Sequence, residues 1–289
     1  MKNHNFLIVS ILSCFFLLNG CITVYQNRST PPTPPPPPLP VWVVYLPTPE
    51  IPPNGTIRPI PAHQGWTNLR MERDLERMAQ AKITAALVMV THIQLLDESF
   101  LERYRKFAEL AEIRGIQVAL LLTSLTSHAP ALERSNIALY LSEQGLTNFP
   151  SSLRNETGIP LLVVTADFVL DAPQDEHDQT TCIWQLGHDL PALPSGPLDV
   201  PAMRPDARGV LWIRAADNSG CAVVNRGRPT DDWTIRRREG AALKRQLEQA
   251  RSVGAKLLLL DSWNNYSRGS FVEPNSNDQN ACMSILQNR

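Results

Sequence analysis

Six unbroken apolar runs limit what this 289-residue chain can fold into: residues 41–46, 83–90, 116–122, 159–165, 210–213 and 256–260. A strand with one face in water alternates apolar and polar residues, whereas a strand buried on both faces does not, so these runs point to a sheet covered on each side. Helical patterns lie between several of them. Asp97 is placed to cap a helix whose Phe100, Tyr104, Phe107 and Ala111 share one face, and Gly115 closes it just before the next run. The arrangement recurs where Leu243, Leu247 and Ala250 form a stripe and Gly254 precedes the run at 256–260. Repetition of strand, helix and strand implies a parallel sheet and an α/β fold.

Two architectures satisfy that pattern: a (β/α)8 TIM-like barrel, typically of ~250 residues, and an open doubly wound sheet. No Gly-rich phosphate loop follows the first run, which counts against a nucleotide-binding open sheet, so the barrel is expected. Residues 170–208 are rich in Pro, Asp and Gln and hold a single short strand candidate at 181–186. The second half of the barrel is therefore expected to be irregular.

The N-terminus carries Lys2 and His4, then an apolar stretch at 6–18, too short and too early for a membrane-spanning helix. Leu18-Asn19-Gly20-Cys21 has the shape of a lipoprotein cleavage box. A rival ending at Cys14 would leave less than the ~7 apolar residues such a region needs. Residues 1–20 are thus expected to be a signal peptide, Cys21 the lipidated residue and membrane attachment point, 21–40 a stalk, and 41–289 the folded domain. Residues 30–40 are nearly all proline. Such a segment extends as polyproline II over roughly 30 Å. Ile22 follows Cys21 in place of a retaining aspartate, which favours the outer membrane.

A hydrophobic content of 43 % suits a sizeable core, and a net charge of −1 offers no basic excess for nucleic acid. The Arg236-Arg237-Arg238 run reads as the solvated opening of a helix. Cys221 and Cys282 both follow late strand ends and are expected to form a disulfide, leaving Cys182 over. The histidines are scattered without metal-ligand spacing and no Gly-x-Ser-x-Gly elbow occurs, so neither metal nor cofactor is expected.

Chemistry in a barrel of this type gathers at the carboxyl ends of the strands. Those ends carry Tyr45, Thr91 and His92, Thr123, Asp167, Asp217, and Asp261 followed by Trp263. Asp167, Asp217 and Asp261 are candidate acids, although Asp after a strand is also a common turn former.

The stretch Asp261-Ser262-Trp263-Asn264-Asn265-Tyr266-Ser267-Arg268-Gly269-Ser270-Phe271-Val272-Glu273-Pro274 resembles the signature after a late barrel strand in glycoside hydrolase families 71 and 99 and in WbsX-type polysaccharide proteins. Tyr45-Leu46-Pro47 and Gln64-Gly65-Trp66 add to the likeness. The resemblance implies a barrel that engages polysaccharide or oligosaccharide, with Tyr45, Trp66, Trp263, Asn264, Asn265, Tyr266 and Arg268 as substrate contacts. It also implies two carboxyl groups three residues apart within the segment, and by position these fall on Asn265 and Arg268. An amide and a guanidinium do no acid or base work at neutral pH. Two readings follow. In the first, a glycoside hydrolase has its acids among Asp167, Asp217, Asp261 and Glu273; in the second, a catalytically inactive glycan-binding module serves surface polysaccharide capture or export.

Overall fold

The unbroken runs become the strands of one parallel sheet. The computed structural model describes residues 37–49, 59–62, 65–123, 134–165, 181–186, 205–214, 240–265, 270–276 and 279–289. The strands are β1 (Val41–Tyr45), β2 (Ala85–Thr91), β3 (Gln117–Thr123), β4 (Leu161–Val164), β5 (Cys182–Gln185), β6 (Val210–Arg214) and β7 (Leu257–Asp261). They pair in the order β5-β4-β3-β2-β1-β7-β6, each pair parallel. The helices are α1 (Asn68–Gln80), α2 (His92–Leu95), α3 (Glu98–Ile113), α4 (Arg134–Glu143), α5 (Ala241–Ala250) and α6 (Ala281–Gln287). After β7 comes a short antiparallel ladder of β8 (Asn264–Asn265) with β9 (Ser270–Phe271). This architecture belongs to the unit Leu39–Arg289.

The late strand β7 joins the first, which makes the order circular as in a barrel opened between β5 and β6. The sheet is strongly curled. In a flat sheet β1 and β5 would stand about 19 Å apart, four strand spacings, yet the rings of Trp42 on β1 and Trp184 on β5 lie 5.0 Å apart. Arg208, on the turn before β6, donates to the Gln185 carbonyl of β5 at 3.2 Å, so the two edges approach to side-chain reach. The result is a seven-stranded, curled half-barrel with helices on its outside. Backbone pairing between β5 and β6 is not seen among the described residues.

Local sequence explains the crossovers. Asp97 caps α3 by accepting from the Ser99 amide at 3.0 Å, and the φ of +67° at Gly115 lets the chain turn directly into β3. Helix α1 has no counterpart in the apolar patterning of the sequence. Six of its thirteen residues are charged, and only Met71, Leu75 and Met78 form its buried apolar stripe. Thr67 caps it, accepting from the Arg70 amide at 3.4 Å.

Cys282 is buried on α6 and Cys182 half-buried at the start of β5. The expected partner of Cys282, Cys221, lies outside the described residues, as do Cys21, the stalk as far as residue 36, and Arg236, Arg237 and Arg238. No helix among the described residues is long and apolar enough to cross a membrane.

Candidate active site at the mouth of the half-barrel

Side chains alternate across a strand, so each strand gives one set to the helix layer and the other to the inside of the curl. The outer set comprises Val41, Val43 and Tyr45 on β1, Ala86, Val88 and Val90 on β2, Leu120 and Leu122 on β3, and Leu258 and Leu260 on β7; all are buried against the helices. The inner set forms a separate apolar cluster that includes Val44, Leu87, Ala119, Leu121, Val163 and Leu259. Against it pack Trp42, Leu46, Met89, Cys182, Trp184 and Trp212, which are only half-buried. The incompletely filled face of the sheet is the inner one.

At the carboxyl ends that inner face turns polar. Thr91 and Thr123 are register partners, and Thr165 continues the row on β4, where Leu122 pairs with Val164. The hydroxyls of Thr123 and Thr165 reach the Val90 and Leu122 carbonyls at 3.5 and 3.4 Å, at the weak end of hydrogen-bond geometry. Each keeps acceptor capacity. Thr91 instead closes a capping box with Gln94 at the start of α2. Asp261 ends β7 on the inner parity, in register with Arg214 of β6 and one inner position beyond Leu259. Its residue is 1 % exposed, and its peptide bond to Ser262 is cis. His92, next to Thr91, has its Nδ1 buried and without a hydrogen-bond partner.

Behind β1, on the outer side, the chain builds a buried polar knot. The Tyr45 hydroxyl donates to Asp74 Oδ2 at 3.1 Å, and Arg70 Nε reaches the same oxygen at 3.3 Å. The remaining Arg70 donors go to the carbonyls of Pro47 (3.0 Å), Gly65 (3.1 Å) and Leu46 (3.4 Å). This use of a rigid fork of donors explains an arginine that is 3 % exposed. From the far end of the chain, Asn264 takes the Leu46 amide on Oδ1 at 2.9 Å and gives Nδ2 to the Leu46 carbonyl at 2.8 Å. Its side chain thus carries the β1–β7 ladder past the point where the backbones diverge. Burial pushes the Asp74 carboxyl above its usual range, the charge of Glu273 adds to the rise, and Arg70 and Arg73 oppose it. Burial likewise pushes the Tyr45 phenol well up, with Asp74 adding to it.

The structure places the predicted site residues in several groups. Tyr45 is fully buried, stacked on Phe107 at 5.0 Å and on the helix side of β1, so it offers no face to the mouth. Trp66 is 3 % exposed among Phe100 and Phe107, at 5.5 and 5.9 Å, and Trp263 is fully enclosed in the same core. Asn264 holds backbone, and Glu273, 1 % exposed, acts electrostatically on Tyr45 and Asp74 in the knot. The side chains of these five residues are buried, and those of Tyr45, Trp66 and Trp263 lie in the core on the helix side of the sheet. Asp261 alone of the predicted acids is described on the inner face. Asp167, Asp217, Tyr266 and Arg268 lie outside the described residues, and for Asn265 only the backbone pairing with Ser270 is described. Trp42, Trp184 and Trp212 were missed. Trp42 and Trp212 sit inside apolar runs and Trp184 in the short strand at 181–186, and the feature they share is strand parity with Asp261. No group of His, Cys, Asp and Glu among the described residues is arranged to hold a metal ion.

No protein-family model and no curated protein matches the sequence. Solved structures do match. The endo-α-mannosidase of glycoside hydrolase family 99 from Bacteroides thetaiotaomicron, in complex with BIS-TRIS-propane, superposes with a TM-score of 0.57 at 11 % identity, covering 85 % of this chain and 94 % of that one. A second structure of the family 99 endo-α-mannosidase from the same organism gives 0.53 at 13 % identity, covering 85 % and 95 %. At such identity the likeness is one of fold: the chain has a barrel-like α/β fold similar to that of the family 99 endo-α-mannosidases.

Proposed function

We propose that this chain is a cell-envelope lipoprotein whose barrel binds polysaccharide at the carboxyl ends of its strands. The observation that carries the reading is the fold likeness to endo-α-mannosidases over 85 % of the chain. The inner-face Asp261 and the threonine row add polar groups suited to sugar hydroxyls. In this reading the sheet closes as a (β/α)8 barrel, Cys21 is lipidated, and the proline stalk displays the domain from the outer membrane. Binding without turnover is preferred, because the positions of the usual acid pair hold Asn265 and Arg268 and because Glu273 belongs to the knot behind β1. The hydrolytic reading draws on Asp261. It requires a second carboxyl ~5 to 9.5 Å away, from Asp167 or Asp217.

The test is a glycan-array screen on the full chain with α-mannans included, followed by a reducing-sugar assay on every hit. Binding without product is the expected result. Turnover that collapses in Asp261→Asn would establish the hydrolytic reading. Absence of binding to any glycan would refute the proposal. Anchoring is tested separately: Cys21→Ser should abolish palmitate labelling, and unchanged labelling would overturn Cys21 as the site.

A further inference from the structure

We infer that one water molecule is bound as a fixed part of the fold where β3 and β4 diverge beneath helices α3 and α4, held by the hydroxyls of Thr147 and Ser152. The inference is independent of what the mouth of the half-barrel binds.

Register makes the site. β4 pairs with β3 only at Leu121 and Leu122. Earlier along β3 its place is taken by the segment that precedes it: the Val118 amide donates to the Ser151 carbonyl and the Leu153 amide to the Val118 carbonyl, both at 2.7 Å. The segment meets β4 where the Leu161 amide donates to the Leu153 carbonyl at 2.8 Å. Ser152 is thus the register partner of Val118. Paired residues of neighbouring strands point to the same side, so the Ser152 side chain faces the helix layer as that of Val118 does. There, between Tyr104 of α3, Leu141 of α4, Leu120 and Leu162, a cavity gives the centre of a water molecule about 10 Å³, close to what one bound water needs.

Thr147 and Ser152 both line this cavity and are only 6 % and 3 % exposed. Neither hydroxyl has a hydrogen-bond partner among the described residues. The adjacent Ser151 is matched directly, its hydroxyl donating to the Ala108 carbonyl of α3 at 2.8 Å. A buried hydroxyl without a partner destabilises the fold, and a bound water makes roughly two to four hydrogen bonds, so one molecule satisfies both. The lining excludes other occupants. No charged side chain among the described residues lines the cavity, so an ion of either sign would lack a counter-charge, and the space is too small for an organic ligand. Burial pushes the Tyr104 phenol well up, so the remaining polar side chain of the wall stays neutral.

The experiment is a double-mutant cycle on the full chain, read by urea unfolding, with Ser152→Ala, Thr147→Val and both together. Each single substitution should lower the folding equilibrium constant about ten-fold, because it leaves the water and the other hydroxyl short of a bond. The double substitution should cost little more than either single one, since the two groups act through one shared molecule. A crystal structure of the wild type should show one ordered density peak within hydrogen-bond distance of both oxygens, lost in the double variant. Single substitutions that leave stability unchanged or raise it would mark a dry cavity and overturn the water site. Strictly additive losses, or a wild-type cavity without density, would overturn it as well.

Discussion

The two faces of β1 are built to different standards. Its outer residues Val41, Val43 and Tyr45 are fully buried, and behind them Arg70 is bound to Asp74 and to backbone carbonyls, while Asp74 also accepts from the Tyr45 hydroxyl. On the inner side Val44 is buried, but Trp42 and, just past the strand, Leu46 remain half-buried. The same alternation separates the faces of β2 and β6, where Met89 and Trp212 are the half-buried inner residues. The difference teaches that stability is concentrated on the helix side of the sheet, and that the inner side is packed less completely.

The largest expected effect lies in the knot. Arg70→Met strips the partner from a buried carboxylate and leaves three carbonyls short of a donor, so urea unfolding should lose about 3 to 5 kcal/mol of stability. A loss near zero would erase the contrast between the faces. The pH profile sharpens it further. The Asp74 carboxyl is raised in the folded state, so between its unfolded value, near 3.8, and its raised folded value the native form holds the extra proton. Its contribution is therefore fully present below the unfolded value and declines as pH rises through the folded one. Asp74→Asn should flatten that decline in a series of urea titrations, and an unchanged slope would remove Asp74 as its source.

A smaller effect is expected at the hinge between the two regions. Asn264→Ala gives up both bonds to the Leu46 backbone and should cost about 1 to 3 kcal/mol. Because Leu46 borders the inner face, glycan affinity should fall as well; affinity held constant would show that the knot and the inner face are independent. The smallest stability change belongs to the half-buried inner residues, where Trp212→Phe should shift unfolding by about 0.5 kcal/mol. A much larger shift would mark Trp212 as core filling.

Part of the candidate site is legible as sequence. Tyr45-Leu46-Pro47, Gly65-Trp66 and Trp263-Asn264 were singled out from distant parts of the chain, and the fold does bring them together: Arg70 bonds Leu46, Pro47 and Gly65, and Asn264 bonds Leu46. They meet in a sealed knot and not in a cleft. Arg70 and Asp74 were overlooked because they lie on a helix crowded with charges, where nothing in the spacing distinguishes a buried ion pair from a solvated one. Trp42 and Trp212 are inconspicuous for the opposite reason, since a continuous apolar run does not show which of its members stays half-buried.

The sequence by itself determined the strands and the principal caps. Continuous runs rich in branched residues favour strands covered on both sides, and Asp97 and Gly115 fix where α3 begins and ends through their own short-range hydrogen bonding and backbone freedom. It also determined that alternate residues of each strand belong to opposite faces. Only the tertiary structure decided which face is inside. Curling the sheet toward Trp42 and away from Tyr45 is a collective outcome of strand twist, register between β7 and β1, and the packing of α1 and α3, and no residue on a single strand carries that information.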